Sequence, residues 1–235
     1  MESETRIVGI MQPYFFPYFE QFRLIASCDL WVVFDTPQFT RKTWVTRNRI
    51  LNRDKGVTYV SVPVLHTGLD TAIKDALLDN KQDWRGQVLN KLKTYQREAP
   101  HYAIVRDFVG DVLASRHETV ATLNTAILQA VCKYLGINTT IQVASLMDME
   151  LPEQCEAGEW ALHISKQLNA TEYRNAAGGK LLFDKELYAR NGITLSFHEH
   201  QPRTYVTGSF DFVDNLSILD WMMWNDVKTL QAWVN

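Results

Sequence analysis

The chain is predicted to be an α/β protein built on a Rossmann-like strand–helix–strand core, and three observations carry that prediction. Ile7 to Met11 and Leu30 to Phe34 are short apolar runs bounded by turn signals, as strands buried on both faces are. Between them, Tyr18 to Cys28 can form an amphipathic helix of about three turns with Phe22 and Ile25 on one face. Beyond this unit, strand-like and helix-like segments alternate along the chain, which points to α/β architecture. Pro13 and Pro17 hold the first connection out of a helix, because each fixes its own φ and restricts the residue before it. Gln12 and Asp35 then both leave strand ends, and the carboxyl ends of strands are where open α/β sheets bind ligands.

The remaining elements follow in order. Thr43 to Leu51 and Val57 to Val64 read as two extended segments around Asn52-Arg53-Asp54-Lys55-Gly56, a hairpin with Gly56 in the turn. Asp83 is placed to cap a helix through Trp84, Val88, Leu92 and Tyr95 that stops near Pro100. A second helix is expected over Tyr102 to Ala114. A third runs from Glu118 to Leu135, with Val120, Leu123, Ile127, Val131 and Tyr134 in one stripe and Gly136 as its stop. Thr139 to Ala144 is strand-like, Ser145 to Glu156 a loop, Glu159 to Leu168 helical, and Thr171 to Arg174 short and extended. Gly178-Gly179 breaks the chain before a helix over Phe183 to Ala189. Asn191-Gly192 ends that helix, and Ile193 to Phe197 is a strand. Leu216 to Val234, apolar and aromatic, is expected to form one or two helices packed on the core. The whole, 1–235, is expected to be a single domain, with a helical insertion around 82–136.

Composition narrows the function classes. With 235 residues, 46% apolar and 22% charged, the chain suits a globular protein with a full core. A net charge of −3 argues against nucleic acid as a partner of the whole surface. No run of about 18 apolar residues exists, so no membrane span is expected. The start, Met-Glu-Ser-Glu-Thr, is acidic and lacks the apolar core of a signal peptide, so a cytoplasmic location is expected. Cys28, Cys132 and Cys155 are odd in number and far apart, which suits reduced thiols and not a disulfide frame.

Several residues are candidates for chemistry, each with a bland alternative. Gln12 can hydrogen-bond a ligand or satisfy backbone groups at its strand end. Tyr14, Phe15, Phe16 and Tyr18 can stack on a base or sugar, or be core aromatics. Asp35 can be a general base, an acceptor for an amine or sugar hydroxyl, or a turn former before Pro37. Between Arg41 and Lys55 there are six basic residues and one acid, the one concentrated positive patch of the sequence. In a strand, Arg47 and Arg49 share a face and Asn48 points to the other, and two guanidinium groups on one face suit a diphosphate. The alternative is a solvated hairpin with scattered charges. Gly178-Gly179-Lys180 before a helix can let backbone amides approach phosphate, or be a plain loop. His198-Glu199-His200 has no visible third ligand, so no metal is expected, and no cofactor motif is visible either. His163, on an apolar helix near Trp160, reads as a core residue.

The blocks Gln12-Pro13-Tyr14-Phe15-Phe16-Pro17-Tyr18, Asp35 to Phe39 and Trp44 to Arg49 together resemble the WbqC-like family. The resemblance continues through Lys93 to Tyr102, Tyr173 to Gly179 and Leu216-Ser217-Ile218-Leu219-Asp220. It implies a setting in bacterial O-antigen and other surface-polysaccharide synthesis, and action on an activated sugar. The implied reaction is transfer of an aminoacyl or acyl group to a nucleotide-linked amino sugar, dTDP- or UDP-linked, with an acyl carrier protein as one donor. The alternative is a non-catalytic subunit that binds a sugar nucleotide or a carrier protein. On this reading Asp35 is the catalytic residue. Substrate is bound by Gln12, Tyr14, Gln38, Lys42, Trp44, Arg47, Asn48, Arg49, Gly178, Gly179 and Tyr205. Two positions depart from the family's pattern: Thr46, where Asn is usual, and Thr207, where Gln is usual. A weaker likeness to nucleotidylyltransferase-type Rossmann folds lacks their paired histidines, Tyr18-Phe19-Glu20-Gln21 standing in that place.

Overall fold

The structure is a computed structural model that describes residues 5–66, 68, 70–152 and 154–234. Five parallel strands form its central sheet in the order β5-β2-β1-β6-β7. They are β1 (Ile7–Met11), β2 (Leu30–Val33), β5 (Thr140–Val143), β6 (Glu172–Ala176) and β7 (Thr194–His198). The chain starts in the middle, builds outward through β2 to β5, then returns past β1 to add β6 and β7. The winding direction therefore reverses between β1 and β6, as in doubly wound sheets. All pairings are parallel, with Val8 opposite both Leu30 and Tyr173.

Both faces of the sheet are covered, which is why β1 and β2 read as continuous apolar runs. Val8, Ile10, Leu30 and Val32 join a core with Leu162, Ile164 and Tyr188 from helices α5 (Glu159–Gln167) and α6 (Lys185–Arg190). Trp31 and Val33, on the opposite face, join the larger core under α1 (Phe19–Ala26), α4 (Val120–Leu135), α7 (Ile218–Trp224) and α8 (Val227–Val234). Gly9 is required in the centre of the sheet. A Cβ there would lie 2.5 Å from Cε3 of Trp31, whose ring crosses the strand.

The hairpin forms as expected, from β3 (Arg47–Asn52) and β4 (Gly56–Ser61) paired antiparallel, with Gly56 at φ +70° in the turn. Its Asn48, Ile50 and Val60 face inward and are buried. The helices α2 (Trp84–Lys91), α3 (Tyr102–Ala114) and α4 lie between hairpin and β5. Asp83 caps α2 by accepting from Gly86 N at 3.0 Å. That helix is shorter than the spacing predicts, because the chain tightens into a 3₁₀ turn over Leu92–Tyr95. Helix α4 starts at Val120 with Thr119 as its cap and ends on Gly136 at φ +70°. Helix α6 starts two residues later than predicted because Asp184 caps Glu186 N and Leu187 N.

Candidate functional site

A cleft of about 1170 Å³ opens at the carboxyl ends of β1 and β6, the point where the winding reverses. Strand β1 and its exit contribute Ile10, Met11 and Gln12; the connection to α1 adds Tyr14 and Tyr18. The exit of β2 adds Phe34, Thr36, Pro37 and Gln38. From β6 and the turn after it come Tyr173, Asn175, Ala176, Gly178 and Gly179, with Leu182 and Phe183 beyond. Helix α5 closes one side with Trp160 and Ala161, under Leu151, Pro152 and Ala157. The volume lies just above the usual range for small-molecule sites, ~300–1,000 Å³.

The loop between β1 and α1 is held rigid by side chains from three distant elements. Asn124 of α4 donates to Pro13 O and Val45 O, both at 2.8 Å. Asn48 of β3 donates to Phe16 O at 2.8 Å, and Ser217, the cap of α7, donates to the same carbonyl at 2.7 Å. Phe15 N donates to Trp44 O at 2.8 Å. These bonds hold Phe16 at φ 41°, a left-handed conformation rare for an aromatic residue. Phe15 and Phe16 point into the core, leaving Tyr14 and Tyr18 to line the cleft. Asn124 and Ser217 thus position the site, and Asn124 left a readable signal: an amide inside an apolar helical stripe.

The cleft is uncharged and lined mainly by apolar and aromatic side chains. Among the described residues its lining holds no Asp, Glu, Lys, Arg, His or Cys. Its tyrosines stay protonated. Burial raises the Tyr14 hydroxyl. Burial, and then the neighbouring Tyr14 and Glu20, push Tyr18 up to about 12. Asn175 donates to Tyr173 Oη at 2.5 Å and accepts from Ala176 N at 2.6 Å, which fixes its amide at the edge of the cleft. Behind Tyr18, Glu20 pairs with Arg23 at 2.9 Å and lies 3.5 Å from His198 Nε2. Burial alone would raise Glu20, but His198 and Arg23 outweigh it and hold its carboxyl low.

The structure divides the predicted site residues into two groups. Gln12, Tyr14, Gln38, Gly178 and Gly179 come together in the cleft. Asp35, Lys42, Trp44, Arg47, Asn48, Arg49 and Tyr205 are not part of its lining. Asp35 is buried and accepts from Ser145 N at 3.0 Å and Ser145 Oγ at 2.6 Å, which ties the end of β2 to the turn after β5. Both carboxylate oxygens are engaged there. Asn48 spends its amide on Phe15 O, Phe16 O and Arg49 N. Tyr205 donates to Asp220 on α7. Thr46 and Thr207 close local turns, bonding Thr43 O and Phe210 O. Arg47 and Arg49 do share the outer hairpin face, over the rings of Tyr59 and Trp44 at 4.3 and 5.8 Å. Among the described residues no group of three or more His, Cys, Asp or Glu side chains is arranged to hold a metal ion. Among the described residues no helix is long and apolar enough to cross a membrane. Burial pushes the Cys28 and Cys132 thiols up to about 12, and neither lines the cleft. Trp160, Leu182 and Phe183 were not singled out by the sequence, since nothing in it sets them apart from ordinary helix and loop residues; Thr36 and Asn175 lie inside the resemblance blocks Asp35 to Phe39 and Tyr173 to Gly179 but were not named as site residues.

Fold and cleft define a doubly wound α/β protein with an open cleft at its switch point. The chain belongs to the WbqC-like protein family, whose profile matches residues 12–232. It is 29% identical over 216 residues to the uncharacterized protein Rv1507c of Mycobacterium tuberculosis, a match that covers 91% of each chain. No solved structure matches it significantly.

Proposed function

We propose that the switch-point cleft binds a nucleotide-linked amino sugar and that the protein transfers an acyl or aminoacyl group to its amine. The observation that carries this reading is the neutral, aromatic lining of a cleft walled by rigid loops. Tyrosines and Trp160 suit a base or a sugar face, and the amides of Gln12, Gln38 and Asn175 suit hydroxyls. Gly178 and Gly179 let the backbone approach a phosphate or a developing oxyanion with no Cβ in the way. Neutrality also favours the chemistry. An ammonium group entering a cleft without a carboxylate loses hydration and gains no partner, so the free amine is favoured. That amine attacks the carbonyl carbon of a thioester donor. The C–N bond forms, the C–S bond breaks, and the amine's proton leaves with the thiolate as thiol. The setting in surface-polysaccharide synthesis rests on the family resemblance.

A second reading, a binding subunit without turnover, draws on the same lining, which offers no strong base. One experiment separates them. The purified chain is titrated calorimetrically with dTDP- and UDP-linked amino sugars, then incubated with acyl thioesters while mass spectrometry follows new amide. Turnover by the chain alone supports transfer, and binding without turnover supports the subunit. Failure of every nucleotide sugar to bind refutes both.

A further inference from the structure

The outer face of the hairpin is a built surface with no function in the cleft. On it, Arg47 and Arg49 stand opposite Ser61 and Tyr59, while the alternate residues Asn48, Ile50 and Val60 are buried beneath. The Arg47 guanidinium stacks 4.3 Å from the Tyr59 ring, and that of Arg49 lies 5.8 Å from Trp44. Both rings are open to solvent, at 38% and 41% exposure. Among the described residues no carboxylate lies within ion-pair distance of either arginine, whereas Arg53 at the hairpin tip is paired with Glu98. Arg49 Nε is buried with no acceptor. Residues 41–55 carry a net +5 in a chain whose total is −3.

We propose that this face docks the acidic surface of an acyl carrier protein, which delivers the thioester to the neighbouring cleft. The proposal rests on the acyl-transfer reading and names its donor. Trp, Tyr and Arg held rigid at the centre of an exposed patch are the composition of interface hot spots. Stacking on Tyr59 holds the Arg47 guanidinium and a bond to Asn215 O at 3.2 Å holds that of Arg49, so less side-chain entropy is lost when a partner's carboxylates arrive. The rest of the chain is net negative, so an acidic partner is steered to this patch alone. The face also communicates with the cleft: Trp44 O accepts from Phe15 N, in the loop that carries Tyr14 into the lining. Nucleic acid fits less well. A sequence pI of about 6.1 is far from that of a nucleic-acid-binding domain, and one face of the Tyr59 ring is already taken by Arg47.

The test is binding of a bacterial holo-acyl carrier protein to the full chain, by calorimetry at low and high salt. Wild type should bind at low salt and weaken as ionic strength rises. Arg47→Glu/Arg49→Glu should lose affinity by at least about 30-fold, while Arg106→Glu, an exposed charge on α3, binds as the parent does. Thermal melts of all variants guard against misfolding, and the single variant Arg47→Glu replaces the double one if that fails to fold. No binding by wild type, equal binding by the hairpin variant, or preference for a short single-stranded RNA would each overturn the proposal. Sugar-nucleotide binding is measured on the same samples without carrier, so failure of the cleft reading registers separately.

Discussion

Asp220 gives the sharpest test of how this core is assembled. It is fully buried on α7 and accepts hydrogen bonds from Tyr95 Oη, at 2.5 Å, and from Tyr205 Oη. Tyr95 Oη in turn accepts from Leu51 N at 2.9 Å, so the carboxylate links α7 to β3 and to the loop carrying Tyr205. Burial raises its pKa from 3.8 to about 6, although the hydrogen bonds from Tyr205 and Tyr95 oppose the rise. Below about pH 4 the carboxyl is protonated both folded and unfolded. As pH rises, the unfolded chain ionises first, while the folded chain keeps its proton up to about pH 6. Asp220 therefore contributes stability in acid that is lost as pH climbs through about 6, and two pKa units correspond to about 3 kcal/mol. Asp220→Asn fixes the side chain in a neutral form of the same shape. Urea unfolding of parent and variant across this range should show the variant gaining on the parent by about 3 kcal/mol from acid to neutral pH. Other titrating groups, such as Glu20, are common to both proteins and cancel in the difference. A difference that stays constant across the range would refute the argument.

Four further substitutions have expected outcomes. Asp35→Asn should lower stability by roughly 1.5–3 kcal/mol in urea unfolding, through its two bonds to Ser145. Turnover should then fall far less than the ~10²–10⁴-fold of a lost general base, as steady-state kinetics would show. Asn48→Ala should cost about 2 kcal/mol, because the Phe15 and Phe16 carbonyls lose their shared donor, and ligand affinity measured by calorimetry should drop as the loop loosens. Gly178→Ala should be tolerated in thermal melts, having open space for a Cβ. Gly179→Ala should weaken ligand binding, since its Cβ would sit 3.0 Å from Phe183 and 3.4 Å from Asn175, both in the lining.

Much of the fold was legible because each signal was local. Apolar runs marked β1 and β2, Gly56 and Gly136 marked a hairpin and a helix end, and Asp83 marked a cap. The strand order was not legible, since a register such as Val8 opposite Tyr173 joins residues far apart in the chain. The lining of the candidate cleft was half legible for the same reason. Gln12, Tyr14 and Gln38 leave strand ends beside the switch point, and the fold rule alone places them there. Asp35 leaves a strand end too. Whether a carboxylate turns outward to ligand or inward to a backbone amide depends on the partner, and Ser145 lies 110 residues away. Asn48 was read correctly as facing away from the arginines, but what it faces, the Phe15–Phe16 backbone, appears only in three dimensions.

The separation of charge from cleft explains why both features coexist in one protein. A guanidinium inside the neutral lining would pull phosphate deep and fill the space a second substrate needs. It would also stabilise anionic forms throughout the cavity, where desolvation gives electrostatic effects their greatest strength. On the hairpin the same arginines lie over aromatic rings and outside the cleft lining. The loop of Tyr14 to Tyr18 joins the two regions, pinned from the hairpin by Asn48 and the Trp44 carbonyl, from α4 by Asn124, and from α7 by Ser217. A shift of the hairpin on docking would therefore be passed to Tyr14 through that pinned backbone, because Asn48 and Ser217 share the Phe16 carbonyl and Asn124 bridges the Pro13 and Val45 carbonyls.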